Sequence, residues 1–521
     1  MNGPGIGSWP ARRTRMTPAS TAMVTDDEEL TYADLAARVE ATATHLRELG
    51  VAAGERVAYL GPNSIDTFVC FFATARLGGI FVSLNTRLAA PEISYMLADS
   101  GSAVLVHGPE CAGLAHAADP AAHGVKHVLA VADLRNAATG VVTTIPWPDQ
   151  LVDLDDPALI LYTSGTTGRP KGAVLTHGNI TWNTVNQLAH IDVLASDVAL
   201  CAAPLFHVTG LGQVSLPTLL KGGTVVVVPK FDAGSFLALI GRRHATAFSA
   251  VPTMLKMLCE HPDWAEADLS SLRYVLYGGS PVEARVAQAW LDRGVVLQQG
   301  YGMTEAAPGV FMALPDGAGA RPTSPGVPHF FTDVEVLTAD GTHLSGPGQG
   351  ELLVRGPHVF SGYWGRPEET AAVLSPEGWY RSGDVVRIDD DGWAHIVDRV
   401  KDVIISGGEN IYPAEVEAAI AELADVNAAA VVAVPDARWG EVGCAYVVLR
   451  PGADLDELAL RAHLDQRLAR YKIPRYVELV DELPTNATGK VLRASLRERA
   501  RHDHPYPTTD PTPETTPETT E

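Results

Sequence analysis

The sequence of 521 residues is poor in cysteine and in positive charge. Its five cysteines are scattered and include no Cys-x-x-Cys pair, which excludes a disulfide framework and a cysteine-based zinc site. Lys and Arg total 39 against 62 Asp and Glu, so the formal net charge is −23. That balance argues against binding to nucleic acid or to anionic membranes, since both need a positive face. We expect reduced thiols and hence a cytoplasmic protein.

Long apolar runs and several common catalytic motifs are also missing. The best candidate for a membrane span, residues 68–84, is interrupted by Arg76 and by a Gly-Gly pair. The first 25 residues carry three arginines with no apolar stretch behind them, so they do not form a signal peptide. We therefore expect no integral membrane association. The patterns Gly-x-Ser-x-Gly, His-Glu-x-x-His and Gly-x-Gly-x-x-Gly do not occur, which leaves hydrolase, zinc-protease and dinucleotide-binding interpretations without support.

What is present is an alternation of short β-rich runs with longer helical stretches. Residues 57–60, 103–106, 224–228 and 273–276 predict strands, and residues 64–77 predict a helix. Such alternation is typical of α/β layers with largely parallel sheets. From 326 to 397 the pattern changes to short strands separated by Gly, Pro and Asp, which predicts a small barrel or a meander.

The chain divides into two lobes and two tails. We predict an irregular N-terminal tail over 1–28, a large lobe over 29–398, a small α+β lobe over 399–500 and a disordered Thr/Pro/Glu-rich tail over 501–521. Two amphipathic helices are predicted in the small lobe. One begins at Pro413, and the other runs over 460–471 and ends before Pro474.

The most informative stretch for chemistry is 159–172, where a strand-like run is followed by a loop of hydroxyls, glycines and one lysine. Small residues let backbone N–H groups approach an anion, hydroxyls donate further hydrogen bonds, and a lysine adds charge. The spacing does not fit a Walker A loop. Composition alone would also suit an ordinary surface loop. The residues concerned are Thr163, Ser164, Gly165, Thr166, Thr167, Gly168 and Lys171.

Residues 162–172 match the phosphate loop of the adenylate-forming (AMP-binding) enzymes throughout, and further motifs follow in that family's order. The family comprises acyl-CoA synthetases, firefly luciferases and peptide-synthetase adenylation domains. The chain resembles it over about residues 28–500 and is closest in texture to bacterial fatty-acyl-CoA synthetases. The resemblance implies a large lobe of two α/β layered subdomains plus a small β-barrel, followed by a small mobile α+β lobe.

The same resemblance implies an ATP and AMP site assembled from several motifs. Tyr301 would stack on adenine, and Thr304 would contact the α-phosphate as a catalytic residue. Asp384 would bind the ribose, and Thr163 and Glu305 would hold Mg²⁺, for which hard oxygen ligands are suitable. The implied nucleotide-binding residues are Thr163, Ser164, Gly165, Thr166, Thr167, Gly168, Lys171, Gly278, Gly279, Ser280, Gln299, Gly300, Tyr301, Gly302, Met303, Thr304, Asp384, Arg399 and Lys490.

Further motifs concern the acid, the thiol and the movement of the small lobe. By resemblance His207 borders the acyl pocket, although a lone histidine is more often structural. Lys490 would swing in during adenylation, where a mobile cation can offset developing negative charge, and Lys401 would be the hinge. The Pro-Leu-Phe-His segment at 204–207 has no carboxylate, which argues against an α-amino acid substrate. The segment that would open a channel for CoA consists of Ser406, Gly407, Gly408 and Glu409.

The predicted activity is ATP-dependent activation of a carboxylic acid, followed by thioester formation with CoA. The acid would be fatty or otherwise hydrophobic, and ATP, Mg²⁺ and CoA would be required. One alternative is an adenylating enzyme for an aryl or unusual acid, with a carrier protein or another nucleophile as acceptor. A second is a nucleotide-binding sensor or scaffold, which the joint presence of Glu305, Asp384 and Lys490 makes less favourable. The acid, its chain length and the oligomeric state stay open.

Overall fold

The structure is a computed structural model that describes residues 5–138, 152–163, 169–279, 282, 284–322, 324–338, 340–399, 404–411, 413–484, 491 and 493–505. Its α-helices are α1 (Trp9–Thr14), α2 (Tyr32–Glu48), α3 (Ile65–Arg76), α4 (Ala90–Ser100), α5 (Ala112–Ala117), α6 (Val131–Ala138), α7 (His177–His190), α8 (Leu216–Lys221), α9 (Ala233–Arg243), α10 (Pro252–Cys259), α11 (Ala284–Leu291), α12 (Pro315–Ala318), α13 (Pro367–Ala371), α14 (Pro413–Ala421), α15 (Glu457–Asp465) and α16 (Arg493–Asp503).

The strands are β1 (Thr21–Val24), β2 (Glu29–Thr31), β3 (Arg56–Leu60), β4 (Ile80–Leu84), β5 (Val104–His107), β6 (His127–Ala130), β7 (Pro157–Thr163), β8 (Lys171–Thr176), β9 (Val198–Cys201), β10 (Thr224–Val227), β11 (Ala247–Ala250), β12 (Tyr274–Tyr277), β13 (Leu297–Gly302), β14 (Gly309–Met312), β15 (Val327–Pro328), β16 (Asp333–Leu337), β17 (His343–Leu344), β18 (Gly348–Arg355), β19 (Gly362–Tyr363), β20 (Tyr380–Ile388), β21 (Ala394–Arg399), β22 (Ile404–Ser406), β23 (Glu409–Ile411), β24 (Val426–Asp436), β25 (Gly440–Leu449) and β26 (Tyr476–Leu479).

Two mainly parallel sheets form the layers of the large lobe. One has the order β19-β8-β7-β4-β3-β5-β6 and the other the order β15-β14-β13-β12-β11-β9-β10-β1-β2, with antiparallel pairs confined to the ends. Helix α3 confirms the helix predicted at 64–77, and Ser64 caps it by accepting a hydrogen bond from the Thr67 N–H. Every residue of α3 is buried, and its side chains share a core with residues of both sheets.

The N-terminal segment is part of the large lobe, so the prediction of an irregular tail over 1–28 is wrong. Ile6 and Trp9 are buried in the main core, and helix α1 begins at Trp9. Strand β1 adds to the nine-stranded sheet, where Met23 pairs in parallel with Val225. Few residues of this segment are apolar, but those few are buried in the core of the large lobe. Composition alone does not reveal such contacts.

The short strands after residue 326 form mainly one antiparallel sheet. Its order is β17-β16-β18-β20-β21, so β17 and β21 are its edges and the described strands make an open sheet rather than a closed barrel. It also contributes to the common core, since Leu352, Val354 and Val386 are fully buried there. The predicted series of short strands is confirmed. The described strands do not close into a barrel.

The small lobe is built on a second antiparallel unit, with β23-β22-β25-β24 in order and β26 beside β25 in parallel. Helix α14 begins at Pro413 as predicted. The second predicted helix is shorter than 460–471, because α15 ends at Asp465 and a 3-10 turn occupies Arg470–Lys472. Helix α16 continues to Asp503, which corrects the start of the disordered tail at 501, and residues 506–521 lie outside the described part.

Within the described ranges, none of the helices combines the length and apolar character needed to cross a bilayer.

Candidate active site

The predicted phosphate loop connects two antiparallel neighbours, β7 and β8. Thr163 ends β7 and pairs with Lys171 at the start of β8. The Thr163 hydroxyl donates to the Lys171 carbonyl over 3.5 Å. The hairpin therefore brings the first hydroxyl and the lysine of the motif together. Several predicted site residues lie outside the described residues, namely Ser164, Gly165, Thr166, Thr167, Gly168, Ser280, Lys401 and Lys490.

Lys171 is held by groups that the sequence motifs did not indicate. Its ammonium forms an ion pair with Glu369 on α13 and lies 5.3 Å from the centre of the Tyr363 ring. The lysine side chain is 15% exposed and that of Glu369 is 35% exposed. The cation is thus partly shielded and faces a carboxylate in this structure.

The glycines after β12 and within β13 bring two strand ends close together. A Cβ on Gly278 would lie 3.0 Å from the carbonyl oxygen of Gly300, so a side chain there would crowd the neighbouring strand. Gly279 has φ +92°, a conformation that glycine adopts without strain. Gln299 accepts a hydrogen bond from the Tyr277 hydroxyl at 3.0 Å. This packing leaves flat backbone at the place where the motif predicts an adenine ring.

Glu305 is one of three buried carboxylates among the predicted site residues, with Asp384 and Glu409. It lies in the 3-10 turn Thr304–Ala306, directly after Met303, and is 7% exposed. Its carboxylate accepts a hydrogen bond from the Tyr363 hydroxyl at 2.8 Å. Burial raises the pKa of Glu305, and the nearby Asp384 carboxylate raises it further. A cation at this position would favour the ionised form.

Tyr301 and Asp384 connect the second sheet of the large lobe to the antiparallel sheet. The Tyr301 hydroxyl donates to the Asp384 carboxylate at 2.6 Å. Asp384 lies on β20 opposite Arg399 of β21, and for Arg399 only the backbone is described. Gly302 is fixed by sterics, since a Cβ there would lie 1.6 Å from the carbonyl oxygen of Pro308. Tyr301, Glu305 and Asp384 are therefore clustered as the motifs predict.

The glycine-rich segment of the small lobe lies against the large lobe. Gly408 has φ +85°, and a Cβ there would lie 2.7 Å from the Val251 side chain. Glu409 is 5% exposed and bridges the lobes. One of its oxygens is 2.9 Å from Nε2 of His207 and the other is 2.5 Å from Nη1 of Arg87. Burial opposes the ionised form of Glu409, but His207 and Arg87 outweigh it and lower its pKa.

Among the described residues, the structure thus brings Tyr301, Asp384 and Glu305 close together and joins His207 to Glu409 across the lobe boundary. Sequence analysis missed Tyr363, Glu369 and Arg87, which make the polar contacts to Glu305, Lys171 and Glu409 described above. Each lies far along the chain from its partner. One sequence feature could have pointed to Tyr363 and Glu369. Both belong to a segment dense in aromatic and charged residues, Gly-Tyr-Trp-Gly-Arg-Pro-Glu-Glu at 362–369.

Comparison with known proteins identifies the family to which the chain belongs. The family model of the AMP-binding enzymes matches residues 10–364, and that of the AMP-binding enzyme C-terminal domain matches 415–490. A feruloyl-CoA synthase from an Amycolatopsis species is 50% identical over 96% of this chain and 100% of its own length.

Two solved structures cover both lobes at similar sequence identity. The o-succinylbenzoate CoA synthetase of Bacillus subtilis, bound to a product analogue, has TM-score 0.85 at 32% identity over 94% of this chain and 98% of its own. MatB from Rhodopseudomonas palustris, with ATP bound, has TM-score 0.71 at 34% identity over 96% of this chain and 99% of its own.

The chain belongs to the AMP-binding enzyme family. Within that family it is an AMP-forming acid–CoA ligase. It uses ATP and Mg²⁺ to activate a carboxylic acid and then forms the thioester with CoA, as predicted from the sequence.

Proposed function

We propose that the acid is a hydroxylated aromatic acid of the hydroxycinnamate type, of which ferulate is the first to test. The observation that carries this proposal is the 50% identity to a feruloyl-CoA synthase over the full length of that relative. Hydroxycinnamates are one group within the hydrophobic acids that the sequence predicts as substrates.

Gln213 supports recognition of a hydroxyl group. It lies in the π-helical turn Gly210–Ser215, shortly after His207, and π-helical turns are frequent at functional sites. Gln213 is 6% exposed, and within the described residues its side-chain carbonyl has no hydrogen-bond partner. Its amide nitrogen is 3.1 Å from where a Cβ on Gly300 would stand, so it reaches the β13 motif. A buried acceptor without a partner is costly, and a phenolic hydroxyl would satisfy it.

The nucleotide would occupy the cleft between β13, β20 and the phosphate hairpin. Asp384, already accepting a hydrogen bond from Tyr301, would receive the ribose hydroxyls. Tyr301 would present its ring to adenine beside Gly278 and Gly279, and Thr304 and Lys171 would contact the phosphates. The backbone position of Arg399 opposite Asp384 suits a second ribose contact.

The described residues fit a divalent cation. Glu305 is a buried carboxylate whose pKa burial and Asp384 raise, so a hard cation would compensate charge there. Glu305 would hold Mg²⁺ together with the Thr163 hydroxyl. When bound, Mg²⁺ supplies charge neutralisation to the phosphate oxygens.

The chain's own groups would then divide two steps between them. During adenylation the carboxylate oxygen attacks the α-phosphorus, the bond to pyrophosphate breaks, and Lys490 would offset the negative charge. In the second step the CoA sulfur attacks the acyl carbonyl and AMP leaves. For that step Glu409 fixes His207 at the lobe boundary, and Gly408 allows the small lobe to approach Val251 closely.

The test is a pyrophosphate-release screen with the purified full chain. The panel contains ferulate, coumarate, unsubstituted cinnamate and saturated fatty acids of increasing length, each with and without CoA. We expect the highest kcat/KM for the hydroxylated cinnamates and formation of their CoA thioesters. A maximum among the fatty acids, or thioester formation only with a carrier protein, would contradict the proposal.

A variant tests the role of Gln213 itself. Gln213→Leu removes the hydroxyl acceptor at similar volume, so kcat/KM for ferulate should fall about ten- to a hundredfold. Turnover of cinnamate, which has no ring hydroxyl, is the matched control and should change little. Equal loss with both acids would show that Gln213 only supports the fold.

We also propose a cytoplasmic location. All five cysteines are described, and none is in a disulfide. Cys70 and Cys444 are fully buried thiols, as expected for a protein of a reducing compartment. Fractionation of the native host, followed by immunodetection, tests this.

A further inference from the structure

A buried ion triad lies at the boundary between the lobes. Lys472, in the 3-10 turn of the small lobe, is 3% exposed. Its ammonium is 2.8 Å from a carboxylate oxygen of Glu92 and 2.7 Å from one of Glu415. The Glu92 and Glu415 side chains are 9% and 6% exposed, so all three charges are withdrawn from water. Buried charges persist only where they are paired.

The triad contains one cation and two carboxylates. Burial and the nearby Glu92 charge raise the pKa of Glu415, even though Lys472 acts in the opposite direction. Burial opposes the charged form of Lys472, but the two carboxylates outweigh it and raise its pKa. Glu415 is therefore protonated more readily than an ordinary carboxyl group, and Lys472 keeps its proton more firmly than an ordinary lysine does.

The Glu92–Lys472 pair crosses the lobe boundary, whereas the Glu415–Lys472 pair does not. Glu92 is on α4 of the large lobe, and Glu415 is on α14 of the small lobe. The residues before Lys472 also enter the large lobe, because Ala469 and Tyr471 pack with the core around α4. A movement of the small lobe that withdraws this turn from α4 would separate Lys472 from Glu92.

The orientation that this pair holds is the one in which Glu409 meets His207. Glu409 belongs to the segment 406–409, for which we propose a role in opening the CoA channel, and on that role this orientation is the one used in the thioester-forming step rather than in adenylation.

We propose that Glu92 is a positioning residue for thioester formation: it receives Lys472 and holds the small lobe in the orientation used for acyl transfer to CoA. This inference rests on the proposed two-step function. It assigns a role in the reaction to an α4 residue of which no atom is expected to touch a substrate.

The test measures the two half-reactions separately in the full-length enzyme. Glu92→Gln keeps the volume and an oxygen that can accept the hydrogen bond from the Ala89 N–H, which Glu92 now accepts at 2.9 Å, but it removes the charge. We expect transfer from a preformed acyl-adenylate to CoA to slow by about tenfold or more. The rate of acid-dependent pyrophosphate release should stay the same, which also shows that the large lobe is folded.

Glu415→Gln is the matched control, because it makes the same substitution in the same cluster without touching the interlobe pair. We expect it to slow acyl transfer much less than Glu92→Gln does. In a Lys472→Gln background, Glu92→Gln should have no further effect on transfer, since the partner is already gone.

The positioning role is refuted if Glu92→Gln transfers acyl groups at the wild-type rate, if it slows both half-reactions equally, or if Glu415→Gln has the same effect. Failure of the aromatic-acid proposal is distinguishable. If the wild type releases no pyrophosphate with ferulate, the half-reactions are measured with whichever acid of the panel supports release.

Discussion

Two histidines of the large lobe are buried without charge, and mild acid should therefore destabilise the protein. His177 and His358 are fully inaccessible, and burial lowers the pKa of each to about 4. In the unfolded chain their pKa is about 6.5, so the unfolded state binds more protons, and stability present above that value is lost as the pH falls. Lowering the pH from about 7.5 to about 5.5 costs about 1.4 kcal/mol for each histidine, or about 3 kcal/mol for both. His329, whose pKa lies well below normal because of burial and two neighbouring histidines, adds to the loss.

His177→Asn isolates one of these contributions. Nδ1 of His177 accepts a hydrogen bond from the Ile6 N–H at 3.2 Å, and an asparagine oxygen can take that place without titrating. The variant should be less stable at both pH values because it loses packing. Its loss of unfolding free energy between the two pH values should, however, be smaller than that of the wild type by about 1.4 kcal/mol. The measurement is urea unfolding of the large lobe, followed by tryptophan fluorescence, at the two pH values.

Equal losses of unfolding free energy on acidification in wild type and variant would refute the contribution of His177. A wild type as stable at the lower pH as at the higher one would contradict the prediction as a whole, since a neutral buried imidazole requires a loss in that window.

Three further changes have expected outcomes that can be measured directly. Tyr363→Phe removes the hydrogen bond to Glu305, so the acid limb of the adenylation pH profile should move to higher pH, and the Mg²⁺ concentration for half-maximal pyrophosphate release should rise about fivefold. Gly302→Ala would place a Cβ 1.6 Å from the Pro308 oxygen, so adenylation should be lost and the thermal midpoint lowered in a melting scan. Trp290→Ala empties a fully buried site and should cost about 3–5 kcal/mol in chemical denaturation.

Sequence periodicity predicted the elements whose pattern is local. The helix at 64–77 and the strands near 57, 103, 224 and 273 appear in the structure within a residue or two at each end. The resemblance assigned Tyr301, Glu305 and Asp384 to one nucleotide site, and the structure brings these three side chains close together. A resemblance that runs over most of the chain carries the three-dimensional arrangement with it, which explains why residues from distant motifs could be grouped in advance.

Contacts between segments far apart in the chain were not predictable from one sequence. The tail prediction over 1–28 missed the core contacts of Ile6 and of strand β1, because a few apolar residues in a Gly- and Pro-rich segment produce no periodic signal. The same holds for Glu92 and Lys472, which are 380 residues apart and look like ordinary surface charges until the fold buries them together. Burial decides the role of a charged residue, and burial is a property of the fold.

The net charge of −23 and the use of polyanionic substrates are compatible because cations around the cleft are paired with carboxylates. Lys171 faces Glu369, and Arg87 faces Glu409. On the proposed roles, a phosphate that binds at Lys171 replaces the carboxylate of Glu369 as the partner of the ammonium. The free energy gained is therefore the difference between the lysine–phosphate and the lysine–carboxylate attraction. The exchange is favourable only for a ligand that offers more oxygens, or better placed ones, than the carboxylate does. An acidic surface with locally paired cations can therefore select a triphosphate while giving non-specific polyanions little to bind.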